Sequence, residues 1–259
     1  GNKKQGDLMI NGAKRILILD EIRGFAIICM VFHHMFYDVG FILGFEWGNR
    51  IFDFLCVFQP LFWAVFILTS GICSRMSRNV IKRGLFLLAA GAVITLVTAV
   101  LMPMINISGA EIYFGILSCL GCSMVITGTA MPLIKKINEK VGMAVCAFLF
   151  FLTYSISDKI LLFGLVKLPD ILYSSNLLFP LGIIGKTFQS ADYFPIFPWV
   201  FMFLFGAFFG KYAVEEKFPA FAYKSHASLF RKAGKNSIWI YLAHQPVLYG
   251  IMYFIKIFL

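Results

Sequence analysis

The stretch GFAIICMVFHHMFYDVGFILGF, residues 24–45, decides the fold class of this chain. It is long enough to cross a bilayer as one helix, because about 20 helical residues span a hydrocarbon core of about 30 Å. The rest of the chain has the same character: of 259 residues, 60% are hydrophobic and only 14% are charged. Soluble domains carry about 25% charged residues. We therefore expect most of the protein surface to face lipid.

Seven stretches of this kind follow one another along the chain. We predict an all-α, polytopic integral membrane helical bundle of about seven transmembrane helices, over residues 24–45, 52–73, 84–104, 113–133, 141–157, 193–210 and 237–255. The apolar residues 160–185 are interrupted by Lys167, Pro169 and Asp170. We expect residues 158–192 to form an external lid or re-entrant segment and residues 1–259 to form a single transmembrane domain.

The positions of the basic residues predict the orientation. If the predicted spans alternate in direction, eighteen of the 23 Lys and Arg residues lie on one side of the membrane. Cytoplasmic connections carry an excess of these residues. The amino terminus, with residues 1–15 as a tail, should therefore be cytoplasmic and the carboxyl terminus external. The net charge of +10 is scattered in short clusters between apolar runs, so it indicates membrane anchoring and excludes nucleic-acid binding.

The six cysteines lie in or beside apolar runs, where they act as small apolar side chains. Cys119 and Cys122 form a C-x-x-C pair inside an apolar segment, a poor setting for a zinc or redox site, which needs stabilised thiolates. We predict no disulfide framework and no metal site.

The first span carries a narrow polar stripe. Ionisable side chains are costly in lipid and face the interior of a bundle. At about 100° per residue, Asp20, Arg23, His34 and Asp38 lie within about 60° of one another, whereas His33 points about 100° away from His34. We predict that His34 is an acid–base residue whose imidazole is oriented by Asp38, one turn further on. The alternative is that Arg23 only reaches the headgroups and the His–Asp pair is an internal hydrogen bond.

The last span carries a shorter polar face. Ser237, Tyr241 and His244 lie within about 60° of one another, and Pro246 frees a backbone carbonyl, as is common where a helix lines a cavity. The alternative is that these groups serve helix packing alone. Two intramembrane histidines could also ligate a haem, but the 30 phenylalanines leave little room for the macrocycle.

Four segments carry recognisable motifs: LDEIRGFAI with MVFHH (19–27 and 30–34), YFGILSCLG (113–121), DYFPIFPW (192–199) and GKNSIWIYLAHQP (234–246). In this order they resemble the transmembrane acyltransferase superfamily, in the branch that contains the heparan-alpha-glucosaminide N-acetyltransferase catalytic region. By position, Arg23 and His34 match the arginine and histidine of the superfamily.

The resemblance implies an acyl-CoA-dependent N- or O-acyltransferase. Such an enzyme moves an acetyl group from cytoplasmic acetyl-CoA to an amine or hydroxyl of a saccharide or other surface acceptor. It further implies a multi-pass protein of a bacterial plasma membrane, with acyl-CoA, a small acceptor and membrane lipid as partners. A homo-oligomer is compatible with it.

Acyl transfer needs a base, an oxyanion donor and cations for the CoA phosphates. We assign the base to His34. The oxyanion donor is Tyr241, His244 or Asn236, which the sequence does not rank. The cofactor-binding cations on the cytoplasmic side are Arg75, Arg78, Lys82, Arg83 and Lys235, with Arg23 at the entrance for the pantetheine arm.

Two other functions stay open at this point. The basic residues can serve as topology anchors alone. A proton-coupled secondary transporter could use His34 and Asp38 as a relay, although no internal repeat of the kind common in transporters is visible. A non-catalytic membrane scaffold is the third possibility.

Overall fold

The computed structural model describes residues 9–10, 13–106 and 109–259, and helices dominate this part of the chain. They are α1 (Leu17–Phe41), α2 (Glu46–Cys56), α3 (Gln59–Met76), α4 (Val80–Met104), α5 (Ile116–Ile134), α6 (Glu139–Thr153), α7 (Ile196–Val214), α8 (Ser228–Lys235) and α9 (Ser237–Ile257). Two-residue strands pair antiparallel, β1 (Met9–Ile10) with β2 (Ala13–Lys14) and β3 (Ile160–Leu161) with β4 (Val166–Lys167). The all-α prediction is confirmed.

The predicted spans correspond to helices that are long and apolar enough to cross a membrane. Six helices have this character singly, and α2 with α3 has it as a pair bent by 51°, which gives up to seven spans. The second predicted span, residues 52–73, is therefore not one straight helix. Pro60 lies in the first turn of α3, where its missing N–H is tolerated, and it favours a new helix over the continuation of α2.

The first helix begins at Leu17, well before the predicted start at residue 24. Hydropathy excludes the charged residues Asp20, Glu21 and Arg23 from a span. In the folded protein these side chains are held by ion pairs and hydrogen bonds to other parts of the chain, so the helix extends through them.

The described chain divides into two compact units, of which the first holds the residues up to Thr69 together with Glu216–Leu259. In this unit the backbones of α1 and α8 touch at two glycines. A Cβ atom at Gly24 would overlap the carbonyl oxygen of Phe230, and one at Gly234 would overlap the carbonyl oxygen of Asp20. The glycines of two of the four motifs are therefore required by close helix packing.

Helix α1 runs parallel to α9. Gly24 lies against Gly234, the His34 ring lies beside His244, and further along Val39 packs with Met252. The first and last spans thus cross the membrane in the same direction. If each span crosses once, this direction implies an odd number of crossings, which agrees with counting the bent α2–α3 pair as one span.

The second unit is Ser70–Glu215. Helices α4 and α5 pack antiparallel: Gly84 lies against Gly121, and Gly91 lies against the buried Ser118. Helix α6 packs on α7, where a Cβ at Gly142 would overlap the ring of Phe208. Antiparallel packing of consecutive helices is the arrangement expected of neighbouring membrane spans. Whether the two units act as the predicted single domain stays a prediction.

The segment between α6 and α7 contains only short turns and the β3–β4 pair within its described residues, all of them much shorter than a span. Two hydrogen bonds link distant parts of this segment. Ser157 Oγ donates to the carbonyl oxygen of Gly182 (2.9 Å), and the Tyr193 hydroxyl donates to the carbonyl oxygen of Phe179 (2.6 Å). An ion pair with Lys159 lowers the pKa of Asp170. The segment's role as an external lid or re-entrant loop stays a prediction.

Candidate active site

The charged start of α1 is fixed by an ion-pair cluster. Arg15 Nε donates to Asp20 Oδ2 at 2.7 Å, and Arg23 Nη1 lies 3.5 Å from Asp20 Oδ1 and 3.5 Å from the carbonyl oxygen of Gly234. Asp20 is buried, and a buried carboxylate needs such partners. The guanidinium group of Arg23 is therefore tied to α8. Its predicted place at the entrance for pantetheine stays a prediction.

The neighbouring Glu21 is a residue that the sequence analysis did not single out. Its Oε1 accepts three hydrogen bonds, from Ser225 Oγ (2.9 Å), from the backbone N–H of His226 (2.8 Å) and from that of Ala227 (3.0 Å). These donors lie just before α8, where a negative charge also favours the helix dipole. Glu21 thus anchors the start of α8, and with it the chain that leads to α9.

The polar stripe of α1 and the polar face of α9 meet at two histidines. The ring centroids of His34 and His244 are 5.0 Å apart. The Nδ1 atom of His244 lies 2.5 Å from the backbone carbonyl oxygen of Tyr241. Because a carbonyl can only accept, Nδ1 carries the proton in the neutral ring and Nε2 is left with its lone pair. That Nε2 atom is buried and has no hydrogen-bond partner among the described residues.

The role of Asp38 in orienting the His34 imidazole stays a prediction. No hydrogen bond joins the two side chains in the described part of the chain, where Asp38 is 3% exposed and its Oδ2 has no partner. The His34 ring faces His244 on another helix instead of the next turn of its own. The helical spacing correctly placed the two residues on one helix but could not determine which neighbour the imidazole faces.

The remaining oxyanion candidates differ in what they bind. The backbone carbonyl oxygen of Tyr241 accepts a hydrogen bond from His244 Nδ1, and the ring centroids of the two residues are 5.5 Å apart. The side-chain amide of Asn236 donates to the carbonyl oxygen of Lys232 at 2.9 Å, which ties it to α8. The roles of Tyr241, His244 and Asn236 in oxyanion binding stay predictions.

His33 points away from His34, as the helical geometry predicts. Its ring is 5% exposed and lies 4.6 Å from the ring of Phe52 on α2. Its Nε2 is 3.4 Å from the sulfur of Cys56. The sequence predicts a packing role for every cysteine, and only the α1–α2 pairing brings this one to an imidazole.

The predicted cofactor-binding cations fall into both units. Arg23 and Lys235 belong to the first unit. The others, Arg75, Arg78, Lys82 and Arg83, belong to the second. The role of these six residues in cofactor binding stays a prediction.

Helix contacts gather the basic residues of the second unit at one end. Arg75 Nη1 lies 3.6 Å from Met131 Sδ near the end of α5, and Lys211 Nζ on α7 is 2.8 Å from Glu139 Oε2 at the start of α6. Lys135 and Lys136, directly after α5, lie at this same end and are exposed, as are Arg78, Lys82 and Arg83. The exposed cations of two connections therefore share one rim.

The other two motifs meet in the second unit. Phe114 and Tyr193 form a parallel β-bridge, with the Phe194 N–H donating to the carbonyl oxygen of Phe114 at 2.9 Å. The Asp192 carboxylate accepts the N–H of Ile116 at 3.3 Å, at the start of α5, where a negative charge is favourable. The four motifs thus pair two by two, one pair in each unit.

The fold and the intramembrane site define a multi-pass membrane protein with paired histidines and buried acidic groups. The chain matches the family "Heparan-alpha-glucosaminide N-acetyltransferase, catalytic" over residues 15–246. This match covers most of the chain, which therefore belongs to that family. No curated protein and no solved structure matches it. The resemblance seen in the four motifs is confirmed, and with it a membrane acetyltransferase type of function.

Proposed function

We propose that this protein is an acyl-CoA-dependent membrane acyltransferase that moves an acetyl group from cytoplasmic acetyl-CoA to an amine of a saccharide or similar surface acceptor. Acetyl-CoA is the donor used by enzymes of this family. The observation that carries the proposal is the His34–His244 pair, with ring centroids 5.0 Å apart and a buried, unpartnered Nε2 on His244.

The imidazole pair suits general-base catalysis. His34 is half-buried and its ring lies against that of His244, so a substrate that enters beside this pair can reach the imidazole. His34 removes a proton from the attacking acceptor, the acceptor attacks the thioester carbonyl, and the CoA thiolate leaves. Before the carbon–sulfur bond breaks, His244 Nε2 shares the proton held by His34, and as an N–H it donates to the oxyanion of the tetrahedral intermediate. The intermediate then collapses, and the CoA thiolate leaves with that proton. Both histidines come from the same unit, held together by α1 and α9.

The buried acceptor atoms of this unit favour an amine over a hydroxyl. Asp38 Oδ2, His244 Nε2 and Gln245 Oε1 are all buried without partners in the described chain. An unpaired buried acceptor is costly, and a carboxylate especially so. An ammonium group carries three donors and a positive charge, whereas a hydroxyl offers one donor. We infer that the acceptor is an amine, whose ammonium form would pair with the buried Asp38 carboxylate before His34 takes its proton.

The basic rim of the second unit suits the phosphates of CoA. Arg78, Lys82 and Arg83 are exposed, and guanidinium groups bind phosphate with two hydrogen bonds. Arg75 is less suited, since it is half-buried against Met131. We place the phosphate anchor on the exposed three, with the rim facing the cytoplasm of a bacterial cell, as the charge bias favours.

The transporter alternative, in which His34 and Asp38 act as a proton relay, is less favoured because the chain belongs to an acetyltransferase family.

A matched pair of acceptors tests the proposal. The purified protein is incubated with acetyl-CoA labelled in the acetyl group and with either glucosamine or glucose, which differ by one amine. We expect the label on glucosamine and little on glucose. Label on glucose alone would contradict the argument from Asp38 but leave acyl transfer standing. No transfer to either sugar, or to other amines, by a folded protein would contradict the proposed function.

A further inference from the structure

A second polar pair lies on the other side of α1 from the His34–His244 pair. The Nε2 atom of His33 is 3.4 Å from the Sγ atom of Cys56, within hydrogen-bond reach for sulfur. His33 is 5% exposed, and its other ring nitrogen, Nδ1, is buried without a partner in the described chain. Cys56 is therefore the hydrogen-bond partner of this imidazole among the described residues.

The thiol lies at an accessible point of the fold. Cys56 is the last residue of α2, at the break where the chain bends by 51° into α3. The next residue, Val57, is 74% exposed, and Cys56 itself is half-buried. The thioester end of an acyl-CoA can therefore reach the sulfur at the break, while the imidazole is enclosed by α1 and the Phe52 ring.

A thiol beside an imidazole is a nucleophile with its base. From this pair we infer that Cys56 is a site of S-acylation, with His33 as the base and an acyl thioester as the donor. The inference takes its donor, acyl-CoA, from the proposed function. It differs from that function in the acceptor, which is a thiol of the protein itself.

The step is a thioester exchange. His33 Nε2 takes the proton of the Cys56 thiol, and the sulfur attacks the carbonyl carbon of the donor. A new carbon–sulfur bond forms at Cys56, the bond between the acyl carbon and the CoA sulfur breaks, and the CoA thiolate receives the proton from His33. The products are S-acyl Cys56 and free CoA, and no oxidant or metal is needed.

The site is separate from the proposed transfer site, although the two are adjacent. The rings of His33 and His34 are 5.5 Å apart and nearly perpendicular, at 89°. His33 faces α2, whereas His34 faces α9. Neither pair therefore needs the other for its own chemistry.

The test uses the full chain in detergent with acetyl-labelled acetyl-CoA and no acceptor. After denaturation, label that is released by neutral hydroxylamine is mapped by mass spectrometry. We expect it on Cys56, absent in Cys56→Ser, and formed about 10²-fold more slowly in His33→Asn, the usual order for loss of a positioned base. The control Cys29→Ser removes a half-buried thiol of α1 and should leave the label unchanged.

Two further variants separate this inference from the proposed function. His34→Ala should lose transfer to the acceptor and keep the Cys56 label, whereas Cys56→Ser should do the reverse. Asp53→Asn should speed labelling, because a carboxylate one turn before the thiol opposes thiolate formation. Wild-type protein that acetylates an acceptor while Cys56 stays unlabelled would overturn the inference and leave the function. Label spread equally over Cys29 and Cys56 would also overturn it.

Discussion

Replacing Gly24 with alanine tests the packing on which the site depends. A Cβ atom there would overlap the carbonyl oxygen of Phe230 and lie 2.8 Å from the amide nitrogen of Gly234, where ordinary contacts begin at 3.4 Å. Both obstacles are backbone atoms, so no side-chain rotation can relieve them and α1 must move away from α8. Overpacking costs about 1–3 kcal/mol, and we expect the upper end, about 3 kcal/mol.

The assay is thermal unfolding of the detergent-solubilised protein. In a chain of this size 1 kcal/mol moves Tm by roughly 2–4 °C, so Gly24→Ala should lower Tm by roughly 6–12 °C. The control is Gly250→Ala on α9, where an added Cβ meets nothing within 4 Å. That change should leave Tm unchanged or raise it slightly, because alanine favours a helix by about 0.5–1 kcal/mol over glycine. Equal Tm values for wild type and Gly24→Ala would refute the α1–α8 packing.

Three other predictions concern the donor, the topology and the segment between α6 and α7. Acetyl-CoA should raise Tm by mass action, and Arg78→Gln with Arg83→Gln should shrink that rise; an equal rise would remove these residues from the phosphate anchor. A reporter that is active only in the cytoplasm should be silent when fused after Leu259, and a strong signal would contradict the odd number of spans or the orientation. The Lys159 ion pair lowers the pKa of Asp170. The stabilisation that this ion pair gives the segment is therefore present at neutral pH and is lost as the pH falls through the lowered pKa. Hydrogen exchange should show the segment's protection falling in acid in wild type but not in Asp170→Asn.

The helical content and the six to seven candidate spans were predictable because the apolar runs have the length that a bilayer demands. The charged start of α1 was not predictable, because Asp20 and Glu21 lower the hydropathy of this stretch. Hydropathy does not take into account Arg15 and the backbone before α8, which pair with these two carboxylates in the folded protein. The bend between α2 and α3 was also missed, although Pro60 signals a helix start.

The candidate site shows the same limit. Helical spacing placed His34 on an inward face and separated it from His33, and both features hold in the structure. Spacing along one helix cannot say which residue of another helix lies opposite. His244 and Cys56 were therefore not predicted as partners of the two histidines. The role of Asp38 toward His34 stays a prediction.

The most direct test of the account is the rate of acetyl transfer by His34→Ala. It is measured with acetyl-CoA and an amino sugar, using variants matched for Tm and expression. His226→Ala is the control, because it removes an exposed imidazole of the same unit and keeps the backbone N–H that Glu21 binds. We expect His34→Ala to lose about 10²- to 10⁴-fold in rate and His226→Ala to keep the wild-type rate. A wild-type rate in His34→Ala would contradict the assignment of the general base.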